Sequence, residues 1–194
     1  MRDLERYRRK GPDATSRLLI AGLVDQLRSS DSLLDVGAGV GVVDFELLAK
    51  GVQKATLIDA SPAYLDAAAR EAQRRGVTDR IRSILGDFTA LAGNVEPADI
   101  VTMHRVICCY PDHAALLRAA MDHTRRVFAF SYPRDRWFIR AWLTLENLRR
   151  RILRNPFRTF VHPPATMDGV LTDEGFRRVG RSGRLSGQSM FTSG

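Results

Sequence analysis

Residues 33–48 read LLDVGAGVGVVDFELL. An apolar run ends in an acid at Asp35, glycines follow at positions 37, 39 and 41, and then apolar residues recur at helical spacing, with Val43, Leu47 and Leu48 on one side. This is the pattern of a short buried strand that enters a helix through a glycine turn. Glycines there let the backbone reverse sharply and let a ligand approach where a Cβ would otherwise stand. The helix that follows offers N–H groups with no partner inside the helix. In open parallel sheets ligands bind at the carboxyl ends of the strands, beside the first strand, so residues 35–41 are where a ligand belongs.

Working outward, strand and helix signals alternate. The helix over 40–50 ends at Gly51, and 55–59 is a second strand. Ser61 and Pro62 read as an N-cap with proline at the first helical position, opening a helix that runs to Arg75 and stops at Gly76. Strands are predicted over 80–85, 99–103 and 127–132, with a helix over 112–123 before the last. Such alternation predicts an α/β fold: a Rossmann-like, doubly wound, mostly parallel sheet with helices on both faces. A helix over 15–27 precedes the first strand, and a helical pattern over 137–153, with Trp137, Ala141, Leu145, Leu148 and Ile152 at helical spacing, follows the fifth. It reads as part of a cap, about 134–162, over the ligand crevice. A short helix after Pro163 and Pro164 and two strands, 176–179 and 188–192, close a seven-stranded sheet whose last strands are short or partly irregular. The 194 residues are read as one domain.

The net charge of +8 is concentrated. Residues 134–158 hold eight arginines against Asp135 and Glu146, and the first ten residues hold five basic and two acidic groups. Local basic clusters suit an acidic substrate, anionic lipid or nucleic acid, or form a solvated helix face. The two cysteines, Cys108 and Cys109, are neighbours, which suits neither a disulfide framework nor the separated ligand pairs of a zinc site, so no metal is expected. No apolar run of membrane-spanning length or signal type is present, and a reducing cytoplasm is the expected location.

Spacing narrows the ligand. A dinucleotide fingerprint, G-x-G-x-x-G or A, needs a small residue at position 42, where this chain has Val42. An acid just ahead of the glycines suits a ligand with an ammonium or sulfonium group better than a pyrophosphate. Over residues 33–132 the sequence resembles the class I S-adenosylmethionine-dependent methyltransferases. Asp35, Gly37, Ala38, Gly39 and Gly41 match that family's first motif, which lies against the amino-acid part of the cofactor. Asp59 in TLIDASPAYL, followed by Ala60 and Ser61, matches the acid that bonds the ribose hydroxyls. Gly86, Asp87 and Phe88 in LGDF match the adenine-binding turn. ADIVTMHRV, with His104, matches the fourth motif, which lines the methyl-transfer site. The resemblance implies S-adenosylmethionine as cofactor, S-adenosylhomocysteine as product, and a transferase that methylates an O, N or C atom.

Catalytic residues are sought after the fourth strand. His104, with an ordinary pKa near neutrality, is the candidate general base, and Tyr110 a candidate to orient a substrate oxygen. Cys108 and Cys109 read as small buried hydrophobes. Arg105 with Trp137, Arg140 and Trp142 are candidate substrate contacts for a small, apolar, carboxylate-bearing molecule. RVICCYP is distantly similar to a stretch of magnesium-protoporphyrin methyltransferases, with Cys109 where those have a histidine. HRVICCYPD, FSYPRDRW and FVHPP resemble a group of small bacterial methyltransferases that carries no substrate assignment. The alternatives are a non-catalytic S-adenosylmethionine-binding protein, an anionic-membrane-surface protein using the helix at 137–153, an RNA methyltransferase, for which no RNA-reading motif is present, and a nicotinamide dehydrogenase. Oligomeric state is not legible.

Overall fold

The computed structural model describes residues 2–133, 137–153, 159–160, 163–182 and 186–193. Strands β1 (Ser32–Val36), β2 (Lys54–Asp59), β3 (Ile81–Leu85), β4 (Ala98–His104), β5 (Thr124–Pro133), β6 (Phe176–Ser182) and β7 (Ser186–Ser193) form one seven-stranded sheet in the order β3-β2-β1-β4-β5-β7-β6. The first five pair in parallel, while β7 runs antiparallel to both β5 and β6. The chain order reverses between β1 and β4, which places a crevice at their carboxyl ends.

Alternate residues of the central strands feed two cores, as the two-residue strand period requires. Leu34, Val101, Phe128 and Phe130 point to one face, packed with Leu116, Leu117, Met167 and Leu171 from α6 (His113–Asp122) and α8 (Pro164–Asp173). Leu33, Ile100, Val127 and Ala129 point to the other, against Leu19 and Leu23 of α2 (Ala14–Val24), Leu47 of α3 (Val42–Ala49) and Leu65 of α4 (Pro62–Arg75). Gly76 stands in the left-handed region at φ 68° and ends α4 where the sequence predicted the stop. Ser61 occupies the N-cap position but its side chain makes no capping bond.

Several elements depart from the sequence reading. Residues 2–10 form a helix, α1 (Arg2–Lys10), with Leu4 and Tyr7 buried against Val40, Phe45, Ala67 and Ala72. A single turn, α5 (Phe88–Leu91), follows β3. The helix after β5, α7 (Trp137–Ile152), is present, but Leu145 and Leu148 of its expected packing stripe are 66% and 52% exposed, while Leu143 is buried. The last two strands are longer than expected, at seven and eight residues, and their pairing carries a register shift between Arg178 and Gly180.

Candidate active site

A cleft of about 900 Å³ opens where β1, β2, β3 and β4 end. Its floor is the glycine turn. Gly37, Gly39 and Gly41 all stand at positive φ, 71°, 59° and 79°, a conformation that costs other residues about 1–2 kcal/mol. The N–H groups of Gly37 and Ala38 both donate to the Ile58 carbonyl, at 2.7 and 3.1 Å, which ties the turn to the end of β2. At Gly37 a Cβ would overlap Cγ2 of Val106.

Asp59 ends β2 with its carboxylate already fixed. Oδ2 accepts from the Gly39 N–H and Oδ1 from the Ser61 N–H, each at 2.8 Å. Each oxygen keeps a further lone pair, so the group suits a ligand with two adjacent hydroxyls. Asp87 caps α5, its Oδ1 accepting from the Thr89 N–H at 2.9 Å and from the Tyr110 hydroxyl. Burial opposes ionisation of Asp87, but the Tyr110 and Thr89 bonds outweigh it and hold the carboxyl below its ordinary value. Tyr110 is thereby joined to the LGDF turn, and its phenol is pushed up by burial and by the Asp87 bond.

Asp35 lines the same cleft from β1 and is fully buried, accepting from Thr102 Oγ1 at 2.6 Å. Burial, opposed by the Thr102 bond, raises its pKa to about 6. Behind it stands Asp44 of α3, whose carboxyl oxygens receive no N–H or O–H bond from the described residues and face the Asp35 carboxyl. Burial, and then the Asp35 charge, raise the Asp44 pKa well above its ordinary value, so the pair favours holding a proton on Asp44.

His104 lies at the end of β4, beside Ser131 of β5 in the sheet register. Its Nδ1 is 2.9 Å from Ser131 Oγ and its Nε2 is 3.0 Å from Ser16 Oγ. Ser131 Oγ also accepts from the Arg105 N–H at 2.9 Å, and Ser16 Oγ lies 3.3 Å from Asp13 Oδ1. We assign the network from its obligatory donors: Ser131 donates to Nδ1, Nε2–H donates to Ser16, and Ser16 donates to Asp13. Burial, then the Arg105 charge, depress the His104 pKa to about 4, so the ring is neutral at physiological pH. Arg105 stands at φ 64°, the one non-glycine at positive φ among the described residues, and its Nη1 reaches Asp13 Oδ2 at 3.2 Å. A strained residue of this kind marks a position held by its surroundings.

The structure thus gathers Asp35, Gly37, Ala38, Gly39, Asp59, Ala60, Ser61, Gly86, Asp87, Phe88, His104, Arg105 and Tyr110 around one cleft. Gly41 stands behind it as the N-cap of α3, packed on Phe45 and Leu57. Trp142 is 62% exposed on α7, and the side chains of Trp137 and Arg140 lie outside the described residues. Both cysteines are half-buried rather than buried, and Cys109 borders the cleft. Sequence reasoning missed Asp3, Arg6, Asp13 and Ser16, which wall the cleft from α1 and α2. The one local signal was the capping pattern at Asp13, whose Oδ1 accepts from the Thr15 and Ser16 N–H groups at 2.9 Å.

Comparison with known proteins agrees with this geometry. Residues 33–127 match the family profile of a methyltransferase domain. Residues 33–127 form a methyltransferase domain. The cleft fits S-adenosylmethionine: an acid for two hydroxyls, a turn with glycines at 37, 39 and 41, and carboxylates for a cationic ligand. A 95-residue stretch is 32% identical to a ribosomal protein L11 methyltransferase of Psychrobacter sp. strain PRwf-1, covering 47% of this chain. The chain spans about a third, 31%, of that relative's length. Among solved structures, a magnesium protoporphyrin IX methyltransferase from Synechocystis with bound S-adenosylhomocysteine superposes with a TM-score of 0.76. It is 19% identical, with 99% of this chain and 94% of that one covered. An O-methyltransferase family 2 protein from Planctomyces limnophilus, in complex with apigenin, gives 0.67 at 18% identity over 94% of this chain and 62% of that one. At such identities the likeness is one of fold.

Proposed function

We propose that this chain transfers a methyl group from S-adenosylmethionine to an oxygen, nitrogen or carbon atom of a small molecule with an apolar body and a carboxylate, as one domain with its cap at 134–162. The observation that carries this reading is Arg105 at the β4 end of the cleft, held at positive φ, beside the apolar Val106, Cys109 and Leu116. When bound, the cofactor supplies an electrophilic methyl carbon on sulfur. The chain's work is alignment of the acceptor in line with that carbon and removal of a proton. Asp59 and Asp87 hold the ribose and adenine, and the glycine turn receives the amino-acid end. Arg105 orients the acceptor by its carboxylate, and Tyr110 orients the attacking atom. His104 is proposed as the acid–base group, its ring oriented by Ser131 and Ser16 at the end of β4. Trp137, Arg140 and Trp142 are proposed to shelter the acceptor from the cap.

The test is methyl transfer from radiolabelled S-adenosylmethionine to a panel of aromatic and fatty acids, each beside its methyl ester. Transfer to acids but not to esters supports the reading, and equal transfer to both, with Arg105→Gln unchanged, refutes it. A second reading, transient contact with an anionic membrane, rests on Trp142, Leu145 and Ile152 of α7, 62%, 66% and 73% exposed beside Arg149. Flotation with phosphatidylserine vesicles, lost at high salt, supports it. No helix among the described residues is long and apolar enough to cross a membrane.

A further inference from the structure

The cleft is lined by five carboxylates, Asp3, Asp13, Asp35, Asp59 and Asp87, and among the described residues by two arginines, Arg6 and Arg105. S-adenosylmethionine carries a sulfonium, an ammonium and a carboxylate. The acids suit the two cations and the ribose hydroxyls, and among the described residues the two arginines are the cationic partners the cleft offers the ligand's own carboxylate. Arg105 sits at the end of β4, beyond Val106 and beside His104, on the side of the methyl-transfer site. Arg6 is on α1, and with Val40 and Val42 it lines a small recess beside the glycine turn, the part of the cleft to which the cofactor reading assigns the amino-acid end.

We propose that Arg6 binds the carboxylate of the cofactor's amino-acid end, so that the N-terminal helix, outside the matched residues 33–127, is a wall of the cofactor site. This rests on the adenosylmethionine reading of the cleft. Arg6 is placed for the task but not consumed by it: its contacts to Asp3 and Asp13 are 3.8 and 3.7 Å, longer than hydrogen bonds. Those two carboxylates steady the guanidinium from either side and leave its donors for a bidentate partner. The helix that carries it is clamped. Tyr7 donates to Glu46 at 2.6 Å, and Arg8 donates to Glu71 at 2.8 Å. Glu71 is fully buried and also takes Arg74 and Arg75, and Arg75 lies over the rings of both Tyr7 and Phe45. Asp3 reaches the other edge of the cleft, where it meets Tyr64 of α4. The helix therefore bridges the ribose side and the methyl-transfer side of the turn.

The test is titration calorimetry with two ligands. S-adenosylhomocysteine carries the carboxylate, and 5′-methylthioadenosine keeps the adenosine and the sulfur but lacks the amino-acid end. Arg6→Gln is expected to weaken S-adenosylhomocysteine by about 10- to 100-fold, the scale of a charge-assisted hydrogen bond, and to leave 5′-methylthioadenosine unchanged. Arg9→Gln, an exposed change on the same helix, is expected to alter neither. Equal weakening of both ligands by Arg6→Gln, or no weakening of either, overturns the proposal. Failure of the unaltered protein to bind S-adenosylhomocysteine overturns instead the cofactor reading on which it rests.

Discussion

Asp44→Asn is expected to stabilise the protein, and by more as the pH rises. Asp44 is fully buried, and its folded-state pKa is raised, first by burial and then by the Asp35 carboxylate it faces. Folding therefore favours uptake of a proton at Asp44 above the ordinary carboxylate pKa, where the unfolded chain holds none. Where the folded state binds the extra proton, stability falls with increasing pH, by about 1.4 kcal/mol per unit for one proton. Asp35, raised to about 6 and also facing Asp59, has ionised above that point, so beyond it the shared proton belongs to Asp44. Asparagine keeps the shape, donates its amide N–H to Asp35 and takes up no proton. Above about pH 6, where Asp35 has ionised, the variant should gain steadily on the unaltered protein, by up to about 1.4 kcal/mol per pH unit while Asp44 holds its proton, each 1 kcal/mol being worth roughly 2–4 °C in Tm for a chain of this size. Taking the difference between the two proteins cancels titrating groups outside the Asp35–Asp44 pair, including His104. Thermal melts followed by circular dichroism across that range, in one buffer series, measure the gap. A gap that stays constant with pH, or that closes as pH rises, refutes the shared-proton assignment.

Gly37→Ala is expected to abolish S-adenosylhomocysteine binding and to cost about 2–5 kcal/mol of stability, from the positive φ and the collision with Val106 together; a variant with unaltered affinity contradicts the geometry of the turn. Glu71→Gln removes the buried acceptor shared by Arg8, Arg74 and Arg75, and should lower stability in urea by about 3 kcal/mol. The Arg74, Arg75 and Arg8 bonds outweigh burial and hold Glu71 down to about 2, so its contribution is full above about pH 4.5 and is lost as the pH falls toward 2. An unchanged midpoint for Glu71→Gln counts against the clamp on α1.

The parts of the fold that could be read from sequence are those where local signals and burial agree. Val127 to Tyr132 is apolar because β5 is covered on both faces, and Ser61, Pro62 and Gly76 mark the ends of α4 because helix ends need such residues. Asp35, Asp59 and Asp87 were legible because each stands at or just past the carboxyl end of its own strand, in order. α1 was not: seven of its nine residues are charged, and what makes it a helix in place is a long-range contact, Tyr7 with Glu46 and Arg8 with Glu71, 39 and 63 residues away. Asp44 was invisible for the opposite reason, since in the sequence it looks like a first-turn acid favoured by the helix dipole, and only the packing of α3 on β1 turns it toward Asp35. On α7 the heptad-like stripe misleads because Leu143 finds the core while Leu145 and Leu148 face outward. Asn147 instead ties the returning chain, its side chain bonding the Thr159 backbone at 2.7 and 3.0 Å.

The central claim is that the glycine turn and Asp59 form an S-adenosylmethionine site, and titration calorimetry of the purified protein with S-adenosylhomocysteine beside NAD tests it most directly, with Asp59→Ala as control. The account predicts tight binding of S-adenosylhomocysteine alone, weakened by about 10- to 100-fold when the Asp59 carboxylate is removed. Binding of NAD in its place, or equal binding of S-adenosylhomocysteine by both proteins, would contradict it.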